Sequence, residues 1–218
     1  REIFSSTKFS ANILIKRMRE LAFLNKGIKI KFIDQSQKKE KVSEFNYGGG
    51  ILEFDESSKL VVVEAGITLK KLLAWSFKKK FFLPVLPGQP EITIGGCVAA
   101  NVHGKNPYKD GTIMEHIEWI ELFHPSIGTK IISRTNDEKI FYATLGGLGL
   151  TGIIIKVALK LQPLPSDTIA ISSTKTQSLE DAVEIMNQHT EDDLLYSWNM
   201  GSTFFNFGKG IVTSGIFA

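Results

Sequence analysis

An α+β fold is what this chain of 218 residues predicts, and three observations carry the prediction. Apolar residues recur at helical spacing over 10–25, where Ile13, Leu14, Leu21 and Leu24 keep the period with Arg17, and again through Leu69, Leu72, Leu73 and Trp75. Two strands read at 52–55 and 59–64 around the turn Glu56-Ser57-Ser58, and alternation marks another at 117–123, turning through Ser126-Ile127-Gly128-Thr129 into a hairpin partner at 130–133. Between these elements lies 87–106, where Gly88, Gly95, Gly96 and Gly104 remove Cβ atoms and Cys97, Ala99 and Ala100 keep the wall low. That stretch suits main-chain N–H groups wrapped around a large flat ligand, and His103, Lys105 and Asn106 form a polar corner at its end.

In chain order, Gly27 stands where the first helix needs a C-cap, and 27–31 alternates as a short strand. Residues 32–41, with Gln37-Lys38-Lys39-Glu40-Lys41 at their centre, read as a solvated loop, and Asn46-Tyr47-Gly48-Gly49-Gly50 as a turn or hinge. Thr68 caps the second helix, whose last turn carries Lys78-Lys79-Lys80, cations suited to a helix C-terminus. Three prolines break regular structure across 81–90. Along 117–123, Ile117, Trp119 and Glu121 fall on one face and Glu118, Ile120 and Leu122 on the other. Residues 107–111 read as a polar loop, Asn136 as the cap of a short helix through Phe141 and Tyr142, and 153–161 as a largely buried strand. Pro163 and Pro165 mark a boundary. Beyond it, Ser178-Leu179-Glu180-Asp181 opens a helix as a capping box with Leu179, Val183 and Met186 inward, and 194–218 reads as strands. The expected division is one domain over 1–165 and the beginning of a second over 166–218. The chain opens on Arg1 and ends on Ile216-Phe217-Ala218 with no closing element, so the second domain reads as incomplete.

Composition narrows the partners without naming them. The chain is 43% hydrophobic with a net charge of +3, and its Lys and Arg are scattered rather than gathered on a nucleic-acid face. A single cysteine rules out an internal disulfide framework and a multi-Cys metal site. No two of His103, His116, His124 and His189 have the i, i+4 spacing of a helix-borne zinc site, so no metal is expected. The cysteine content suits a reducing, cytoplasmic setting, and no apolar run approaches the ~20 residues of a transmembrane segment.

Gly147-Leu148-Gly149-Leu150-Thr151-Gly152 has the form G-x-G-x-x-G, but a dinucleotide fingerprint needs a helix after it and an acidic residue about 20 positions on. A strand-like run follows instead, so these glycines are expected to bring backbone close to a ligand or a neighbouring strand. Cys97 and His103 have the residue types of a nucleophile pair; a lone Cys among Gly, Val and Ala is the commoner case of a small buried hydrophobe.

Three stretches, in order, resemble the FAD-binding oxidoreductases of the p-cresol-methylhydroxylase (vanillyl-alcohol-oxidase) type. Ile51-Leu52-Glu53-Phe54-Asp55 through Val61-Val62-Val63-Glu64-Ala65-Gly66 to Leu72 is similar to that family's strand pair and following helix. Phe82-Leu83-Pro84-Val85-Leu86-Pro87-Gly88 through to Asn106 is similar to its flavin-cradling segment, and Phe141 to Ile154 to its last cofactor loop and strand. Within the family, Val102-His103-Gly104-Lys105-Asn106 and Gly149-Leu150-Thr151-Gly152-Ile153-Ile154 are most like the decaprenylphosphoryl-β-D-ribose oxidase branch and its sugar-lactone oxidase relatives.

The resemblance implies a two-lobed FAD-binding domain followed by the start of an α+β substrate (cap) domain. Carried over by position, it implies FAD contacts at Gly88, Thr93, Ile94, Gly95, Gly96, Ala100, Asn101, Val102 and His103. It implies further contacts at Gly149, Gly152, Ile153 and Ile154. His103, beside the flavin ring and the substrate hydroxyl, and Lys105, on polar groups of the substrate, are the implied catalytic pair. The implied reaction oxidises a secondary alcohol of a sugar or sugar-lactone-like small molecule by hydride transfer to flavin N5. It calls for an electron acceptor and, if it is half of an epimerisation, a partner reductase; a lipid-linked substrate would bring the protein to a membrane surface.

The resemblance fails at one place. The family sets a Gly-rich pyrophosphate loop directly after the strand read at 27–31, whereas here Phe32-Ile33-Asp34-Gln35-Ser36 follows. Asp34-Gln35-Ser36 resembles what ordinarily comes after that loop, so either the loop is deleted and FAD binding impaired or, as expected here, residues are missing at Lys31, with a second candidate break across 45–50. The same fold also admits an NADPH-dependent enolpyruvyl-sugar reductase, or an interaction module that has lost FAD.

Overall fold

The computed structural model describes residues 10–24, 28–35, 40–46, 50–201 and 206–218. Gly27, Gln37-Lys38-Lys39 and Tyr47-Gly48-Gly49, singled out above, lie outside the described residues. The chain begins with α1 (Ala11–Leu24), which packs on an antiparallel hairpin of β1 (Lys29–Asp34) and β2 (Lys41–Asn46). The alternation that starts at Lys29 does not stop at Lys31. Ile30, Phe32 and Asp34 turn inward in step, and Lys31 and Phe32 pair with Glu44 and Ser43 without a break in register. Within the segment read as a solvated loop, 32–34 and Lys41 belong to strands instead. Glu44 lies 3.5 Å from both Lys29 and Lys31, and the Lys29 charge above all lowers its carboxyl pKa.

The main body is a five-stranded antiparallel sheet. Its strands are β3 (Ile51–Asp55), β4 (Leu60–Glu64), β6 (Ile117–His124), β7 (Gly128–Ser133) and β8 (Ile153–Lys160), in the order β3-β4-β8-β6-β7. Helices α2 (Leu69–Lys78), α3 (Ile94–Ala99) and α5 (Glu138–Thr144) bury Leu69, Leu72, Ile94, Val98 and Phe141 in one core with Val61, Val63, Ile120 and Val157 of the strands. Full burial of each such side chain is worth about 1.5–3 kcal/mol, which makes this core the main stabilising feature of the chain. The two-residue strands β5 (Phe81–Phe82) and β9 (Gln162–Pro163) pair with each other and tie the proline-rich segment to the end of β8.

Local chemistry explains where the elements depart from expectation. A register shift between Ile117 and Trp119 swings Ile117 into the core with Ile120 and Leu122, which a strict two-residue period cannot do. Asn136 does not cap α5; its side-chain NH2 donates to the Ile131 carbonyl, and Asp137, at φ 52°, occupies the cap position. Residues 107–111 form a helical turn, α4 (Pro107–Asp110), because the Asn106 carboxamide oxygen accepts from the N–H groups of Tyr108 and Lys109.

A second sheet, ordered β10-β12-β11, is built from β10 (Ile169–Thr176), β11 (Leu194–Asn199) and β12 (Gly210–Phe217), and α6 (Leu179–Asn187) covers it. The capping box is present: the Ser178 hydroxyl accepts the Asp181 N–H at 3.1 Å and the Asp181 carboxylate accepts the Gln177 N–H at 2.8 Å. The inward face is not the one expected. Ala182, with Ile185 and Met186 beside it, packs on Leu195 and Val212, while Leu179 and Val183 are exposed. Ala182 lets the helix axis come close to the sheet, and that close approach sets its rotation.

Candidate active site

Thr93 starts α3 by accepting the Gly96 N–H on its hydroxyl at 3.1 Å, and the helix then runs through residues almost without side chains. A Cβ on Gly95 would stand 2.9 Å from the Ala65 Cβ, so this glycine is required by helix packing against the end of β4. The N–H of Ile94 donates to Ile67 and that of Gly95 to Ala65, each at 2.8 Å, while those of Cys97, Ala100, Asn101 and Val102 go to carbonyls of the segment itself. Along 94–102 the expectation that this stretch offers its own N–H groups to a ligand is thus corrected, because they are committed within the protein. Ile94 is fully buried in the core and faces no cleft. Cys97 is also buried, and that burial raises its thiol pKa to about 11, so it behaves as a hydrophobe.

Two clefts flank α3. The first encloses about 370 Å³ between Thr93, Gly95, Gly96 and Ala99 on one side and Gly149, Gly152, Ile153 and Ile154 on the other, with Ala65 and Gly66 closing one end. Five of its lining residues are glycine and two are alanine, so a flat group can lie directly on main chain. Neither the Gly66 nor the Gly149 N–H donates to a protein acceptor among the described residues. A Cβ on Gly149 would meet nothing within 4 Å and would project into open space. Gly152, at φ +146°, instead presses on the Phe123 carbonyl, 2.5 Å from where its Cβ would be. No helix follows this glycine motif; β8 does, as the argument against a dinucleotide fingerprint anticipates.

The second cleft, about 480 Å³, begins where the first ends: Ala99 lines one and Ala100 the other. Gly88, Asn101, Val102, His103 and Lys105 line it from the cofactor-like segment. The Val102 carbonyl accepts the Ile113 N–H at 2.9 Å, and His103 bridges to Thr112, which fixes the strand-like path between them. His103 is exposed to the cleft, and its Nδ1 donates to the Gly104 carbonyl at 3.0 Å. A carbonyl only accepts, so the proton sits on Nδ1 and the neutral ring offers Nε2 as an open proton acceptor. Gly104 is wedged against the passing chain, where a Cβ would lie 2.8 Å from the Leu86 nitrogen. Asn106 is not part of the corner: it is 1% exposed, and its NH2 donates to the carbonyls of Thr190 and Asp192.

The opposite wall of the second cleft was not among the residues expected. It is formed by Tyr196, Ser197 and Trp198 of β11, with the Tyr196 ring centroid 4.4 Å from the Lys105 ammonium. The sequence does hold a signal, since aromatic and small residues alternate along 194–199, but nothing in it says that β11 returns to residue 105. Among the described residues no group of His, Cys, Asp and Glu is placed to hold a metal, and no helix is long and apolar enough to cross a membrane.

Similarity to known proteins agrees with this geometry. Residues 30–129 match the family model described as FAD binding domain. The chain is 30% identical over 148 residues to a decaprenylphosphoryl-beta-D-ribose oxidase of Mycolicibacterium smegmatis, covering 67% of this chain and 32% of that protein. It is 24% identical over 163 residues to a probable L-gulonolactone oxidase 4 of Arabidopsis thaliana, covering 71% and 28%. Among solved structures, an alkyldihydroxyacetonephosphate synthase superposes with a TM-score of 0.63 at 18% identity, over 77% of this chain and 36% of that one, which is a likeness of fold. The chain spans about a third of the length of each of these relatives. Through this segment the chain resembles FAD-binding domains of the p-cresol-methylhydroxylase type.

The residues present fit that cofactor. Its flat rings could rest on walls without side chains, the Gly66 and Gly149 N–H groups have no protein acceptor among the described residues, and the paired clefts suit an elongated ligand. The sequence holds no glycine between Gly27 and Gly48, so the Gly-rich loop expected after the strand at 27–31 has no counterpart in it.

Proposed function

We propose that this chain carries the cofactor half of an FAD-dependent oxidoreductase that oxidises a secondary alcohol of a sugar or sugar-lactone-like molecule. The observation that carries the reading is the order of parts along α3: a cleft walled by main chain, then a second cleft ending at a proton acceptor and a cation. In this reading residues 1–165 form the FAD-binding unit and 166–218 begin the substrate unit. Thr93, Gly95, Gly96, Gly149, Gly152, Ile153 and Ile154 hold the adenosine and phosphate end of FAD, and Gly88, Ala100, Asn101 and Val102 hold its flavin end. Bound there, FAD supplies a two-electron acceptor for the hydride of the carbinol carbon.

This chain's own residues handle the proton. Nε2 of His103, left open by the Nδ1 contact to Gly104, accepts the proton of the substrate hydroxyl as the carbon is oxidised. The Lys105 ammonium, on the same wall, steadies the oxygen that gives up that proton. The small-molecule substrate enters from the side of Tyr196 and Trp198, and a separate electron acceptor returns the cofactor to its starting state.

Reconstitution with FAD and anaerobic addition of sugar alcohols and lactones tests the reading. A flavin spectrum should appear and then bleach. His103→Gln should keep the spectrum and bleach on the order of 10²-fold more slowly, the usual effect of removing a general base. A chain that stays colourless, or a variant that bleaches at the unmodified rate, would overturn the proposal.

A further inference from the structure

Lys105 is a long, flexible cation with no carboxylate partner among the described residues, and a free lysine side chain does not hold one position. We infer that Tyr196, across the second cleft, is the residue that positions the Lys105 ammonium for the substrate. The inference rests on the reaction proposed above and adds to it a residue from outside the cofactor-like segment.

Five observations support it. The ammonium lies 4.4 Å from the Tyr196 ring centroid, well inside the ~6 Å range of cation–π attraction. Gly88 adjoins the same cation, since a Cβ there would sit 3.8 Å from Nζ. The pairing is set by backbone: the N–H of Leu195, next to Tyr196, donates to the Lys105 carbonyl at 2.9 Å. The next residue, Asn106, is buried and bonds the carbonyls of Thr190 and Asp192, which lead into β11. The Tyr196 hydroxyl donates to no described protein group, so the ring is the part of the side chain that the contact uses.

Tyr196 is then a positioning residue and Lys105 the group that meets substrate. The test uses FAD-loaded protein with 13C-labelled lysine. The Lys105 Cε–Hε signal, identified by its loss in Lys105→Arg, should lie upfield of the other lysines through the ring current. It should stay there in Tyr196→Phe and return to the common position in Tyr196→Leu. With L-gulonolactone as the probe of flavin bleaching, Tyr196→Leu should need on the order of tenfold more lactone for half-maximal bleaching rate, while Tyr196→Phe stays close to the unmodified protein. FAD affinity, read from quenching of flavin fluorescence, should be the same in all three.

An unshifted Lys105 signal in the unmodified protein overturns the inference. So does equal loss in the Phe and Leu variants, which would transfer the role to the hydroxyl, or a parallel loss of FAD affinity, which would make Tyr196 merely structural. A protein that takes up FAD but is bleached by no lactone or sugar alcohol overturns the proposed reaction instead, and the Lys105 signal still decides whether the contact exists.

Discussion

Gly104 does more for the second cleft than its missing side chain suggests. His103 and Lys105 flank it, and the segment 84–86 passes so close that a Cβ would lie 2.8 Å from the Leu86 nitrogen and 3.0 Å from the Val85 Cα. Both obstacles are backbone, so neither can rotate away. Gly104→Ala should cost about 2–4 kcal/mol in urea unfolding, in the range of core overpacking, and should displace both polar residues together. Cys97, seven positions earlier, gives a second test at this scale. Burial raises its thiol pKa from 9.0 to about 11, so the folded state holds the protonated form more tightly than the unfolded chain does. That contribution to stability is complete below the unfolded pKa and is lost as pH rises through about 11. Unfolding curves between neutral pH and pH about 11 should therefore fall more steeply for the unmodified protein than for Cys97→Ala. Iodoacetamide should label the thiol only after denaturation.

At the scale of elements, periodicity showed which segments are helix or strand, and packing determined which way they face. α6 separates the two. Its capping box was legible in Ser178 and Asp181, because a cap is chemistry within four residues. Its inward face was not legible, since Leu179, Val183 and Met186 make as good a helical stripe as Ala182, Ile185 and Met186. The sheet selected the stripe whose small residue permits close approach. Ala182→Leu should therefore cost about 1–3 kcal/mol by overpacking, whereas Val183→Ala, at an exposed position, should stay within about 0.5 kcal/mol in thermal melts. The reverse ranking would restore the face read from periodicity. The cofactor-like site was legible for a related reason. Gly95, Gly96, Ala100, Val102 and His103 are neighbours in sequence and stay neighbours in the clefts, as do Gly149, Gly152, Ile153 and Ile154. Tyr196 reaches Lys105 through a contact more than ninety residues away in the chain, which no local pattern encodes. The N–H groups of α3 were misread because glycine content shows that backbone can be approached, not whether its donors are already used.

At the scale of the molecule, the cofactor-like body and the second sheet meet at a ring contact between Phe82 and Phe217 and at a polar joint, and the second cleft adjoins that joint. Asn106 donates to Thr190 and Asp192, Lys109 pairs with Asp193 and also donates to the Glu191 carbonyl, and Asp193 accepts the Phe217 N–H. Burial opposes the charge on Asp193, yet the Lys109 hydrogen bond and the Phe217 N–H outweigh it and hold the carboxyl below its usual range. A depressed folded pKa stabilises the joint at all pH above the unfolded value near ~4, and the stabilisation is lost as pH falls through the folded value. Acid should therefore loosen the joint while the apolar core of the main sheet still holds. Hydrogen exchange can resolve the difference, with the Leu195 amide reporting the joint through its bond to the Lys105 carbonyl and the Val157 amide reporting the core. Between pH 7 and pH about 3, Leu195 should lose protection before Val157, and Asp193→Asn should show that loss already at pH 7. Asn106→Ala should do the same at a cost of about 1–3 kcal/mol, since it removes a buried donor from the Thr190 and Asp192 carbonyls. If the two amides lose protection in parallel, the sheets unfold as one unit and the second cleft owes its shape to the whole core rather than to this joint.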